Sequence, residues 1–317
     1  MGTILAEVAS AHGAIEVTDE VLAREHPDWN LPAVRRATGV GRRHHIGPHE
    51  TSRTLALDAC HALLERRPEL VDLVDLVLVV GQTPAQAIPS TACLLHGDLG
   101  LPEHVGALDL GAACSGYVYG LVVADALLAA GRAREVLLVT AETYSTVTDP
   151  DDRGTRTLFG DAASATWLRW SDDAGSGILD ALWATRGLDH GRLETVAAAD
   201  EPARLHMDGR AVLSFTFAAV PAQVRTLLGR NGLEIGDVDR FLFHQASALV
   251  LDGLEDALGL TRAQAPRSLA EHANTVSSSI PLLIESVRAE GPLRPGDLAV
   301  LSGFGAGLSW ASVLLRW

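Results

Sequence analysis

The residues best suited to chemistry begin with a lone cysteine. Gly111-Ala112-Ala113-Cys114-Ser115-Gly116-Tyr117 sets Cys114 among very small side chains, where a strand pattern (Val105 to Leu110) gives way to the apolar helical run Val118 to Ala130. A thiol at a helix N-terminus faces unpaired N–H groups and the positive end of the macrodipole, which favour thiolate and hence a nucleophile. Free cysteine is also among the most buried residue types, so a packed, inert thiol is the competing reading. Two further side chains carry compatible chemistry: His244, at the end of the strand-like run Arg240-Phe241-Leu242-Phe243, and Asn274, in His272-Ala273-Asn274-Thr275. The first can give or take a proton and the second can donate from an amide, although each by itself reads as a structural residue or a turn. Gly303-Phe304-Gly305-Ala306-Gly307 adds a loop whose backbone can approach closely and aim an N–H at a developing oxyanion. It lacks the Lys-Ser/Thr that would open a helix after a phosphate-cradling loop.

The elements that would hold these residues are legible in the hydrophobic pattern. The 317 residues are 47% hydrophobic, enough for one large domain or two joined halves. Thr51 to Arg67 reads as an amphipathic helix, while Asp75 to Gly81 and Glu135 to Thr140 read as strands covered on both faces. The run after Cys114 is apolar nearly all round, which places that helix inside the molecule. The first thirty residues fit no single pattern. Three cysteines (Cys60, Cys93, Cys114) without a CxxC pair argue against a disulfide framework or a structural zinc site and suit a reducing cytoplasm. Adjacent His44 and His45 lack converging ligands, so no metal is expected. The start, Met1 to Glu7, has no basic region ahead of an apolar core and reads as no signal peptide; the apolar stretches, broken by Asp125 and Glu135, suggest no membrane span. A formal charge of −15, with all 25 basic residues arginine, would repel nucleic acid and anionic lipid.

The chain repeats itself. Helix, Asp-rich turn and strand recur as Phe215 to Arg230, Gly236 to Asp239 and Arg240 to His244; Leu254 to Leu260 echoes Leu95 to Leu101; Ala165 to Trp170 is answered by Val313 to Trp317. Asn274 lies 160 residues after Cys114, as Gly291 does after Gly131. The pattern predicts a duplicated α/β unit, with halves at 1–170 and 171–317. The Cys114 helix and its mate, Ser279 to Ala289, should then lie back to back in the centre. A pseudo-twofold would bring His244 and Asn274 onto the thiol.

Asp109 to Gly116, Asp149-Pro150 through Arg153-Gly154-Thr155, Leu158 to Asp161, His244-Gln245-Ala246, His272 to Thr275 and Gly303 to Gly307 together resemble β-ketoacyl-ACP synthase III, in order, along nearly the whole chain. The resemblance implies the thiolase-like fold, a five-layered αβαβα duplication, and usually a homodimer. It implies catalytic Cys114, His244 and Asn274, with the backbone N–H groups of Cys114 and Ala306 as the oxyanion hole. The cysteine would take an acyl group from acyl-CoA or an acyl carrier protein. His244 and Asn274 would then assist decarboxylation of a malonyl thioester, with no cofactor. Trp29 and Arg153 would serve CoA, Ile88 and Phe304 the acyl pocket, and Ser247 the pantetheine arm. The sequence departs from the family where Ser247 replaces an asparagine, Ile88 an aromatic and Ala37 an arginine. The helix that should receive an acidic carrier has Leu249, Asp256 and Ala257 in place of basic residues. Those departures favour a specialised pathway, polyketide or antibiotic, or transfer of the acyl group to an oxygen or nitrogen of a small acceptor. No cysteine follows Cys114, which disfavours a thiolase proper.

Overall fold

The computed structural model describes residues 2–173, 175–197, 202–291 and 293–317. Its frame is two sheets of matching connectivity. In the first, the order is Gly2–His12, Ala162–Ser171, Glu135–Glu142, Leu76–Val80, Gly106–Leu110. The first two pairings are antiparallel and the last two parallel. In the second, Gly177–Thr185, Ser309–Arg316, Leu298–Gly305 and Arg240–Phe243 repeat that sequence of two antiparallel pairings and a parallel one. The Gly106–Leu110 strand has no counterpart in the second sheet among the described residues.

The Gly116–Ala129 and Ser279–Glu290 helices fill the space between the sheets. Tyr117, Val118, Leu121 and Ala124 pack with Ile280, Leu283 and Ile284 and with inward residues of both sheets, such as Leu78, Leu138, Ala299 and Val313. A helix that meets apolar neighbours on both sides has no face left for polar residues, which explains its uniform sequence. The Ser52–Arg66 helix covers the outer face of the first sheet with Leu55, Ala59 and Leu63; Thr51 caps it through a reciprocal bond pair with Thr54. The Gly209–Arg230 and Ala248–Leu258 helices cover the second. The result is five layers, α, β, α, β, α.

Two readings change. The unassigned N-terminal stretch begins with an eleven-residue strand, Gly2–His12, that pairs along the whole of Ala162–Ser171. Its small residues gave no alternation because both of its faces are covered by helices. The Gly209–Arg230 helix begins six residues before the expected Phe215, and by length and composition alone it could cross a membrane. Here Phe215, Val220, Val224 and Leu227 are buried in the core around the second sheet.

Candidate active site

Cys114 occupies the turn between the Gly106–Leu110 strand and the Gly116–Ala129 helix, and is 5% exposed. The Leu298–Gly305 strand passes against it. A Cβ placed on Gly305 would lie 2.8 Å from the Cys114 Cβ and 2.9 Å from its Sγ, so only glycine lets the strand end approach the sulfur. The backbone N–H groups of Cys114 and Ala306 both donate toward that sulfur. They form a pair of fixed donors where an oxyanion on a Cys114-bound acyl carbon would develop.

Burial works against the thiolate expected from the helix N-terminus. Burial, with a contribution from the Glu142 carboxylate, pushes the Cys114 thiol up to about 12 against the pull of the two N–H groups. The physical reason is one of size: a helix terminus contributes up to ~2 kcal/mol in partly buried geometry, whereas full burial shifts a group by up to ~3–5 pKa units.

His244 follows the Arg240–Phe243 strand and is 1% exposed; burial lowers it to about 3, so the imidazole is neutral. Its Nδ1 lies 2.6 Å from Ser279 Oγ, which itself accepts from the Gln245 N–H at 3.3 Å. With the Ser279 hydrogen donated to Nδ1, the ring's own proton would sit on Nε2, and the Val276 backbone is its partner in the resting site, a bond that opposes the effect of burial. The Phe304 ring meets the imidazole edge-on at 5.4 Å. Asn274 is held by its backbone to the strand-like end of the first half, donating to Leu158 O and accepting from Gly160 N, both at 3.0 Å. Its Oδ1 accepts from Val276 N at 3.0 Å and its Nδ2 donates to Ala246 O at 3.3 Å, which leaves the second amide hydrogen for a ligand. Ala273 and Val276, on either side, sit at φ of 59° and 54°. Left-handed backbone at alanine and at a β-branched residue is strain, of order 1–3 kcal/mol each, of the kind held at functional sites by surrounding bonds.

Cys114, His244 and Asn274 open onto one cavity of about 610 Å³ whose wall is mostly apolar. A second cavity, of about 550 Å³, reaches Ala306 and Gly307 from the other side, past Tyr144, Leu205 and Thr83; Leu193 belongs to both.

Comparison with known proteins agrees with this geometry. Two family models match, 3-oxoacyl-[acyl-carrier-protein (ACP)] synthase III over residues 108–187 and its C-terminal domain over 228–317. A β-ketoacyl-[acyl-carrier-protein] synthase III of Acidiphilium cryptum is 36% identical over 99% of each chain. The chain belongs to the β-ketoacyl-ACP synthase III family. Among solved structures, the 3-oxoacyl-(acyl carrier protein) synthase III of Pseudomonas aeruginosa PAO1 superposes with a TM-score of 0.92 at 34% identity, covering all of this chain and 98% of the other. The priming β-ketosynthase of the R1128 polyketide pathway superposes at 0.91 and 29%, covering 99% and 96%. The chain is thus an acyltransferase-class enzyme with the thiolase fold.

Within this ketosynthase III, the other expected site residues divide. Ser247 and Phe304 line the main cavity, Ser247 also capping the Ala248–Leu258 helix through Val250 N. Ala37 lines it too, so the missing arginine is missing from the wall itself. Arg153 is exposed beside Gly154, a wall residue. Trp29 lies outside the wall, stacked on His26 with ring centroids 3.8 Å apart and packed on Val17, Leu22 and Leu31. Ile88 is 87% exposed and touches neither cavity of its own chain. Sequence reasoning had the glycine loop that contains Gly305 but missed Ser279 and Val276, and above all the burial of two carboxyls. Asp161, pushed up to about 6 by burial, accepts from Ser145 N, Ser145 Oγ and Ile46 N. Glu142 ends the Glu135–Glu142 strand with no exposure at all. Its only signal was an acid closing an otherwise apolar strand.

Proposed function

We propose that this ketosynthase III loads an acyl group onto Cys114 from acyl-CoA or an acyl carrier protein and condenses it with a malonyl thioester. The observation that carries the reading is that Cys114, His244 and Asn274 share one cavity while two backbone N–H groups converge on the Cys114 sulfur. In the first half-reaction the sulfur attacks the thioester carbonyl, the oxyanion is met by the N–H groups of Cys114 and Ala306, and the donor's thiol leaves with the proton from Cys114. In the second, a malonyl thioester loses CO₂ and its electron pair becomes an enolate. The enolate oxygen is held by donors from His244 Nε2 and Asn274 Nδ2. The α-carbon attacks the acyl carbon, the Cys114 sulfur is expelled as thiolate and takes up a proton from water, and a 3-oxoacyl thioester departs. The second cavity, on the far side of Ala306, has the position to take the acyl chain.

The rim supports a second reading, in which the acyl group passes to an OH or NH₂ of a small acceptor in a specialised pathway. Leu249 is 54% exposed at the cavity mouth. Behind it Arg262 is taken up by Asp252 and Glu255, at 3.4 and 3.3 Å, and Arg225 donates to the Ala257 carbonyl. A carrier protein, being acidic, would find Arg36, Arg153 and Arg210 beside the cavity wall but no basic residue at Leu249, Asp256 or Ala257. Incubation with an acyl-CoA and then a malonyl thioester, followed by intact mass and CO₂ release, tests the first reading. An acyl adduct at Cys114 that never releases CO₂, yet is discharged by small amines or alcohols, replaces it with the second. A carrier-dependent rate that falls steeply with added salt removes the case against a docked carrier.

The exposed edge strand Gly106–Leu110, with Leu108 47% exposed, suits a homodimer formed edge to edge. In a dimer Ile88 would serve its partner's acyl pocket rather than its own. Three unpaired cysteines support a cytoplasmic setting.

A further inference from the structure

Glu142 is buried at the centre of the site without a cation. Its Oε2 accepts from Gln82 N at 3.2 Å and Thr83 Oγ1 at 2.9 Å, and its Oε1 accepts from Ser277 Oγ at 3.0 Å; Thr83 N also donates to it. These donors come from both halves. Gln82 and Thr83 belong to the loop that lines the second cavity, and Thr83 Oγ1 in turn accepts from Thr143 N at 2.8 Å. Ser277 is the residue after Val276, whose N–H fixes the Asn274 amide. The carboxyl is therefore the knot between the acyl-side loop and the turn that aims Asn274.

We infer that Glu142 is a positioning residue of the reaction at Cys114: fixed between the two halves by uncharged donors, its carboxyl holds the Asn274 turn in place, and its charge opposes charge on the Cys114 sulfur. The inference rests on Cys114 being the acylated nucleophile. The titratable groups that feel Glu142 are Cys114, at the head of the central helix, and Tyr144, on the turn after Glu142; it raises both. His244, across the cavity, is neutral. Among the described residues Glu142 makes no ion pair, and its hydrogen-bond donors are backbone N–H or hydroxyl groups. Burial outweighs them and lifts the carboxyl to about 7, so its charge is gained and lost around neutrality. When it is protonated, the sulfur gives up its proton more readily and loading is favoured. When it is ionised, the sulfur expelled at the end of condensation is returned to the thiol.

Glu142→Gln is isosteric: its amide oxygen can accept from Gln82 and Thr83, while its NH₂ donates to Ser277 Oγ. The test is the rate of Cys114 carbamidomethylation by iodoacetamide, mapped to the peptide, from pH 6 to 9. In the wild-type enzyme the rate should rise less than tenfold per pH unit around 7, because ionising Glu142 lifts the thiol as the pH rises. In Glu142→Gln the rise should be a full tenfold per unit, and alkylation at pH 8.5 roughly tenfold faster than wild type, the effect of one unit of coupling. Ser277→Ala cuts one tether but keeps the charge. It should slow CO₂ release from the malonyl thioester and move the shallow stretch of the profile to higher pH, because the lost Ser277 hydroxyl helped to hold the carboxylate, without abolishing it. Superimposable profiles for wild type and Glu142→Gln overturn the inference, as does a Ser277→Ala slope that changes in the same way. If Glu142→Gln does not fold, a single tenfold-per-unit line for the wild type through pH 7 overturns it alone. Acyl mapping is read separately: an adduct on Cys60 or Cys93 refutes the proposed function, whatever the alkylation profile.

Discussion

Replacing Gly305 by alanine should disable the thiol. The new methyl group would stand 2.8 Å from Cys114 Cβ and 2.9 Å from Sγ. Ordinary heavy-atom contacts lie at ~3.5–4.0 Å, so roughly 0.6–1.2 Å of overlap must be relieved by moving the sulfur or the strand end. Neither is free to move, because Cys114 heads a helix packed between both sheets and Gly305 is paired with Ser309. Overpacking of this kind costs ~1–3 kcal/mol of stability, and displacing a reacting atom by about 1 Å costs on the order of 10²-fold in rate. Acyl-enzyme formation, followed by quenched intact mass over time with acyl-CoA in excess, should therefore slow by about two orders of magnitude, with a melting temperature lower by a few degrees. Gly97→Ala is the control, since a Cβ there meets nothing within 4 Å on an exposed part of the Thr91–Asp98 helix. It should acylate and melt as wild type does. A Gly305→Ala enzyme that acylates within a factor of about three of wild type at an unchanged melting temperature would falsify the close-approach argument.

In the resting enzyme at pH 7, iodoacetamide should label exposed Cys93 first; a thiol near 12 is about one part in 10⁵ thiolate, so equal labelling of Cys114 at early times would contradict its burial. Asn274→Ala should lower CO₂ release from a malonyl thioester by ~10²–10³ while leaving Cys114 acylation much closer to wild type, and an unchanged decarboxylation rate would remove Asn274 from the enolate site. His12, stacked on His272 with ring centroids 4.9 Å apart and 5.0 Å from His44, is lowered to about 3 by burial and by those two neighbours. A depressed histidine stabilises the fold above its unfolded value of ~6.5 and loses that stabilisation as the pH falls, because only the unfolded chain then takes up the proton. From pH 6.5 to 5 this amounts to about 2 kcal/mol, at ~1.4 kcal/mol per unit. The melting temperature of His12→Phe, which keeps the stacking, should therefore gain on wild type over that window; a pH-independent difference between the two would refute it.

Much of this enzyme can be read from its sequence because its determinants are local or repeated. The covered strands announce themselves as unbroken apolar runs, Leu76–Val80 and Val136–Val139, and the central helix as a stretch with no polar face. The 160-residue offset then placed Asn274 opposite Cys114, and the same duplication placed His244. Those three residues do meet in one cavity. The Gly2–His12 strand was not legible, since its small side chains show no period until the neighbours that cover them are known. Ile88 and Trp29 were assigned by likeness alone, and proximity to a cavity is a property of the packed chain. The protonation of the site was least legible of all. A helix start is visible in sequence, and it argued for thiolate. Against it stand burial under a strand from the other half of the chain, where Gly305 meets the sulfur, and the charge of Glu142, with the Ala306 N–H pulling the other way, and only the tertiary structure brings these together. Burial in the packed chain pushes the Cys114 thiol and the Glu142 carboxyl up and the His244 imidazole down, three directions the sequence does not show.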